Sequence, residues 1–284
     1  MELSKGLVFV DVTYGGGGHS KAILSEMSKE ATLVAFDQDE DAFDNIVEDD
    51  RLVFVNSNFR YLKNFLKYHE LEKVDAILAD LGVSSHQFDE GSRGFSIRTD
   101  ARLDMRMNQK AEVSAFEVVN DYPEKELYRV FRAYADLKNV GRVVKELSMK
   151  RREKEIVTTG ELVSILTPLV IGKKLNQFLA QVFQAIRIEV NDEMGALQDL
   201  LEQSVKVLNP GGRLVVMSYH SIEDRLVKNF IRSGKFDGEV EKDLYGNVIK
   251  PLQAVNKKPI IADAAENERN SRARSAKLRI ATKV

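Results

Sequence analysis

Residues 7–20, LVFVDVTYGGGGHS, limit what this chain can become more than any other stretch. Four apolar residues run into Asp11, and Gly15 to Gly18 lead on to His19, Ser20 and the helix-like AILSEM. The order is strand, glycine turn, helix. Glycine belongs where backbone must take a positive φ or come close to a ligand. A second apolar run at 32–36 ends in Asp37. An acid about 20 residues past a glycine turn stands where it can hydrogen-bond ribose hydroxyls. The pair therefore predicts an adenosine-containing cofactor.

The glycine run also excludes relatives of this arrangement. His19-Ser20 stands where a phosphate-cradling NTPase loop carries lysine and a hydroxyl residue, and the spacing departs from the dinucleotide pattern G-x-G-x-x-G. Asp11 lies just ahead of the glycines, where a carboxylate would repel a pyrophosphate but suit a ligand carrying an ammonium or sulfonium charge. S-adenosylmethionine is such a ligand and NAD is not. An NAD-linked oxidoreductase on the same sheet is accordingly the weaker reading.

Between residues 1 and 80 strand-like runs at 7–10, 32–36, 52–55 and 75–79 alternate with helical spacing at 20–28, 39–47 and 59–68. This is the rhythm of a parallel, doubly wound α/β sheet, whose ligands bind at the carboxyl ends of the strands. Asp11, Asp37, Asn56 and Asp80 all fall at such ends. Asn56 reads as a turn or cap residue; Asp37 and Asp80 read as functional. After Asp80 the rhythm breaks until residues 213–218, announced by Asn209-Pro210-Gly211-Gly212. A βαβ crossover needs only about a dozen residues, so something is inserted, and its content is helical. Helix starts are expected at Asp121-Tyr122-Pro123-Glu124 and at a capping box of Thr158 with Glu161. Apolar stripes run through Val140–Leu147 and Phe178–Val190, and a last helix at 193–208 belongs with the sheet. The expected division is a sheet domain of residues 1–104 and 184–284 around a helical insertion of 105–183.

Of the 284 residues, 43% are hydrophobic and 30% charged, which suits a cored domain or two with a charged surface. No stretch approaches the run of about 20 apolar residues that a membrane helix needs, and the start does not resemble a signal peptide. No membrane association and a cytoplasmic location are expected. The absence of cysteine removes disulfides, thiolate metal sites and any cysteine nucleophile. Four scattered histidines make no pattern for a metal site. A net charge of −2 leaves nucleic-acid binding to local patches. Two exist. Lys138, Arg142, Lys145, Lys150, Arg151, Arg152 and Lys154 form a basic stretch interrupted by acids, read equally as a solvated helix face. Arg269, Arg272, Arg274, Lys277, Arg279 and Lys283 close the chain; they can bind phosphates, and Leu278 and Ile280 alternate among them as in a last strand.

Residues 75–104, DAILADLGVSSHQFDEGSRGFSIRTDARLD, carry Asp80 into a loop dense in small and hydrogen-bonding residues. Together with DVTYGGGGHS, FQAIRIEVNDEM, NPGGRLVVMSYHSIEDRLVK and NSRARSAKLRIA, this segment closely resembles the bacterial RsmH family, formerly called MraW. The resemblance covers nearly the whole chain, with five blocks in family order. It implies a class I, Rossmann-like methyltransferase fold with an inserted helical domain. The implied activity is methylation of the N4 amine of a cytosine in the decoding region of 16S ribosomal RNA, with S-adenosylmethionine as cofactor. The implied partner is that RNA or the small ribosomal subunit, met by a monomer or homodimer. It also implies cofactor contacts for Gly17, Gly18, His19, Asp37, Phe59, Asp80 and Gln87, and RNA engagement by the insertion.

The chain departs from the family pattern in places. Only six residues precede Leu7 where the family carries a His-x-Pro-Val-Leu-Leu segment, so either the start lies upstream or the cofactor pocket lacks a flap. His86 replaces a proline, LNQFLAQ replaces His-Pro-Ala-Thr-Arg, and Tyr134-Ala135-Asp136-Leu137 replaces Tyr-Gly-Glu-Glu. A catalytically silent RNA-binding protein on the same fold is the second reading. For catalysis, an exocyclic amine attacks a sulfonium methyl without a covalent enzyme intermediate. It needs alignment and an acceptor for its proton. Asp80, or a carbonyl within 81–84, is expected to hold that amine, with Ser84, Ser85 and His220 as secondary candidates. His220 reads equally as a capping or core residue.

Overall fold

The computed structural model describes residues 1–170, 172 and 174–284, with the side chains of Ser85 and Ser271 outside the description. The chain forms two compact units, residues 1–82 with 194–284 and residues 83–193.

The first unit is built on eight strands. They are β1 (Val8–Asp11), β2 (Thr32–Asp37), β3 (Leu52–Asn56), β4 (Val74–Asp80), β5 (Leu208–Ser218), β6 (Leu252–Ala254), β7 (Ile260–Ile261) and β8 (Lys277–Lys283). The sheet order is β3-β2-β1-β4-β5-β8-β6, with β7 also on β8. The first five strands are parallel, and β8 runs antiparallel to β5, β6 and β7. Phe9, Leu33 and Ala76 pack with Ile23 and Leu24 of α1 (Gly18–Glu26) and with Met27 just beyond it, while Val10, Val34 and Ile77 point the other way and are equally buried. Burial on both faces is why these strands read as continuous apolar runs rather than alternations. The sequence reversal in strand order falls between β1 and β4, the place where open parallel sheets bind ligands.

The expected strands and most expected helices appear. Residues 40–45 form a 3-10 helix rather than the α-helix expected at 39–47. Phe59 to Tyr61 make another 3-10 turn ahead of α2 (Leu62–Tyr68). α9 (Glu193–Val207) belongs to the sheet unit from Met194 onward and is tied to the segment after β3. Arg60 pairs with Asp199 at 3.1 Å, and Gln203 donates to the Arg60 carbonyl at 2.6 Å. The sheet unit also carries α10 (Ser221–Ser233) and α11 (Ala264–Arg269).

The second unit is helical: α3 (Ser85–Asp89), α4 (Ala115–Asn120), α5 (Glu124–Tyr134), α6 (Val140–Glu153), α7 (Thr159–Leu166) and α8 (Leu175–Asn191). The capping box of Thr158 and Glu161 starts α7 as expected, and a second one, Ser114 with Glu117, starts α4. The unit is wider than the insertion read from sequence, running 83–193 instead of 105–183. The reason lies in its core. Phe95 and Leu103 pack with Leu127, Phe131, Leu147 and Val182, so the stretch after Gly82 is bound into the helices. At the other end α8 continues unbroken to Asn191, whose side chain receives the Met107 amide and donates to the Met105 carbonyl.

Phe131 is fully buried in that core. Phe131→Ala should cost about 3–5 kcal/mol of unfolding free energy, read as an earlier urea midpoint at unchanged slope.

Candidate active site

The four strand-end residues read from sequence are the terminal residues of β1, β2, β3 and β4, namely Asp11, Asp37, Asn56 and Asp80. Their roles differ. Asp11 is fully buried and its carboxylate is used inside the protein. It accepts from Ser20 Oγ at 2.7 Å, from the Thr13 amide at 3.1 Å and from Thr13 Oγ1 at 3.4 Å. Burial pushes its pKa up, against those hydrogen bonds. The outward face toward a cationic ligand expected for Asp11 is therefore corrected: the carboxylate is sealed beneath the glycine turn and braces it. Asn56 donates to the Asp37 carbonyl at 3.1 Å, a turn-holding role.

The glycines divide by function. Gly15 and Gly17 have φ of 52° and 75°, a region that side chains disfavour. A Cβ on Gly17 would meet the Tyr14 hydroxyl at 2.8 Å, and that hydroxyl is itself fixed by donating to the Asn45 carbonyl at 2.7 Å. Gly16 and Gly18 have nothing within 4 Å on the side where a Cβ would stand. Two glycines thus shape the turn and two leave its surface bare. Asp37 supports the turn from β2. Its Oδ2 accepts the Gly15 amide at 2.7 Å and its Oδ1 the Asp39 amide at 2.9 Å, which leaves a lone pair on each oxygen for another donor. Burial pushes its pKa up to about 6, opposed by the two amides.

Asp80 is the centre of the polar cluster. Its amide donates to Thr13 Oγ1 at 2.7 Å, which links the end of β4 to the turn after β1. Oδ1 accepts from the Tyr219 hydroxyl at 2.8 Å, and Oδ2 lies 3.3 Å from His19 Nε2. The Asp80 hydrogen bond holds the His19 pKa above the ordinary value, against burial. Burial first, and the Asp80 charge second, push the Tyr219 phenol up, so it stays a donor. Gly82 follows with φ of 96°, and a Cβ there would stand 3.9 Å from the Tyr219 ring.

Gly17 caps α1, and Gly18 and His19 are its first residues. Phe59 opens the 3-10 turn beyond β3, half-buried. Ser84 and Gln87, in the second unit, cap α3 reciprocally: Gln87 Oε1 accepts the Ser84 amide at 3.0 Å and Ser84 Oγ the Gln87 amide at 3.1 Å. Those bonds are what position both side chains. The side chain of Ser85 lies outside the described residues. His220 takes the capping position that its sequence context also allowed. Its Nδ1 accepts the Glu223 amide at 3.3 Å and caps α10, while Glu223 takes the amides of Tyr219 and His220 in return. The side chain of SYHS that reaches Asp80 is the neighbouring Tyr219, which sequence reasoning missed. The signal was its place as the first residue beyond β5, next to β4 in the sheet.

The MraW methylase family matches residues 1–284. The chain is 53% identical to a protein of Christiangramia forsetii named ribosomal RNA small subunit methyltransferase H, over 98% of this chain and 91% of that one. It is equally 53% identical to a protein of the same name from Phocaeicola vulgatus, over 100% and 93%. A Flavobacterium johnsoniae protein of that name is also 53% identical, over 98% and 91%.

The division among the glycines is testable. Gly17→Ala should cost about 2 kcal/mol or more, from its positive φ and the Tyr14 clash. Gly18→Ala, at the first position of α1, should leave stability unchanged or raise it by up to about 1 kcal/mol. Thermal unfolding of the two variants checks both.

Proposed function

Since the chain belongs to the MraW methylase family, we propose that it transfers a methyl group from S-adenosylmethionine to a cytosine N4 amine in the decoding region of small-subunit ribosomal RNA. The observation that carries the reading is the Asp80 carboxylate, held by Tyr219 and His19 beside the glycine turn. The names of the relatives, ribosomal RNA small subunit methyltransferase H, supply the substrate class. RNA of the small ribosomal subunit as substrate places the work in the cytoplasm.

The residues present fit the cofactor. Gly16 and Gly18 leave bare backbone for close approach, and Asp37 has a free lone pair on each oxygen for ribose hydroxyls. Phe59 opens the turn beyond β3, where a flat ring suits an adenine. Bound, S-adenosylmethionine supplies a methyl group on a positively charged sulfur. What the chain adds is alignment and a proton acceptor. Asp80 accepts an N–H of the cytosine amine, which directs the nitrogen lone pair away from the carboxylate. It then takes up the proton as the nitrogen becomes positive. Tyr219 and His19 fix both carboxylate oxygens in advance, so the acceptor does not reorganise during the step. The absence of cysteine accords with direct attack by the amine. A cytosine inside a duplex cannot reach such a site, so the substrate segment is single-stranded or unstacked.

The test is transfer of labelled methyl to undermethylated small ribosomal subunits, followed by nucleoside analysis. Label in N4-methylcytidine is expected. Asp80→Ala should reduce it at least about 1,000-fold while calorimetric cofactor binding persists; near-normal turnover would remove Asp80 from the mechanism. Cofactor binding without transfer by the unaltered protein would instead favour a silent RNA-binding role.

A pH dependence follows from Asp37. Because its folded pKa is raised to about 6, the folded chain favours the neutral carboxyl. That contribution to stability is present below the ordinary carboxyl value and is lost as pH rises through about 6. Ribose hydroxyls prefer the charged form, so cofactor affinity has the opposite slope. It should strengthen by about tenfold from pH 5 to 7, and Asp37→Asn should flatten the curve in calorimetric titrations.

A further inference from the structure

The 3-10 turn Phe59–Tyr61 bridges β3 and α2, and none of its three residues is buried. Core packing takes hold only at Leu62, which is fully covered at the start of α2. A turn without buried side chains opens easily unless other bonds hold it.

Those bonds reach it from two sides. On the sheet side Asn58 caps the turn. Its Oδ1 accepts the Arg60 amide at 2.9 Å, and its Nδ2 donates to Gln38 Oε1 at 2.9 Å. Gln38 follows Asp37, so the turn is tied to the end of β2. On the other side, Asp199 and Gln203 stand four apart on α9 and share a face. Asp199 pairs with the Arg60 guanidinium at 3.1 Å. Gln203 Oε1 accepts the Lys63 amide at 2.8 Å, and its Nε2 donates to the Arg60 carbonyl at 2.6 Å.

One backbone donor and one backbone acceptor thus face the same side chain. A carboxamide answers both at once, and the backbone partners fix which end carries the oxygen. A glutamate would set a second acceptor against the Arg60 carbonyl, and a leucine would offer neither group. Nε2 also donates to the Asp199 carbonyl at 3.0 Å, so the amide is held from its own helix. That helix is seated in the core through Leu197, Leu200 and Leu201. Gln203 therefore passes the position of a packed helix to a turn that has no core of its own.

We infer that Gln203 is a positioning residue for the adenine of the cofactor, acting through the turn that presents Phe59. The inference rests on the S-adenosylmethionine reading above, in which the Phe59 ring lies against the adenine. Asn56 is level with Asp37 across β3 and β2, and Asn58 bonds Gln38 just beyond. The groups for ribose and for adenine thereby belong to one hydrogen-bonded frame, which Gln203 closes from α9. A ring held in place beforehand has little freedom to lose when the ligand arrives.

Calorimetric titration of the full chain with S-adenosylhomocysteine, which binds without turnover, tests this as a cycle of Gln203→Leu, Phe59→Leu and the double variant. Gln203→Leu should raise Kd roughly tenfold, the order expected from two lost hydrogen bonds. Combined with Phe59→Leu, the same change should move Kd by less than about twofold, because the ring it positions is gone. Gln203→Glu, which keeps the Lys63 bond, should fall between, and it carries the cycle if Gln203→Leu does not fold. An unchanged Kd in both Gln203 variants would overturn the inference. Equal losses with and without Phe59→Leu would also overturn it, since they report a general loosening of the fold. No loss of affinity in Phe59→Leu alone would take the ring, and Gln203 with it, away from the adenine. Failure of the unaltered protein to bind S-adenosylhomocysteine would instead remove the cofactor reading itself.

Discussion

A buried carboxylate ties the sheet unit's binding edge together. Asp11 has no contact with water, and a charge in that position is tolerated only if its oxygens are bonded. Ser20 on α1 and Thr13 in the turn supply those bonds, and Thr13 passes the linkage on to the Asp80 amide. One acid at the end of β1 thereby sets the start of a helix, the path of the glycine turn and the height at which β4 ends. An asparagine would offer one acceptor where two oxygens are used, and a glutamate would need room that the packed turn does not have.

Around this anchor the site uses each acid differently. Asp11 braces, Asp37 holds the turn while keeping a lone pair on each oxygen, and Asp80 stays partly exposed. Asp80 keeps its place because donors approach both of its oxygens from separate elements, Tyr219 after β5 and His19 on α1. Neither donor alone would define its orientation. Together with the bonded amide, they leave the carboxylate little freedom to lose when a substrate amine arrives.

Much of this was legible in the sequence because it is local. Strand-then-glycine, acids at strand ends and the capping box at Thr158 are set by neighbours a few residues apart, and all appear where the pattern put them. What the sequence hid depends on distant contacts. Tyr219 meets Asp80 only because β5 lies beside β4, a pairing across more than a hundred intervening residues. His220 carries the more suggestive side chain, yet its backbone position at a helix start claims its ring for capping. The breadth of the helical unit was hidden for the same reason. Residues 83–104 have no strong helical period, and Phe95 and Leu103 join that core through contacts far along the chain.

The position of the insertion has a consequence for how the chain acquires its shape. β4 ends at Asp80 and its neighbour β5 begins at Leu208, so during synthesis the edge of β4 waits while the whole second unit is made. That unit is continuous and helical, and helices joined by short connections close quickly, whereas a parallel pairing over so long a separation is slow. The helical unit can therefore form first, and by condensing residues 83–193 it shortens the effective distance that β5 must search. On this contact-order argument, the core packing of the inserted unit bears on the rate at which β5 joins β4.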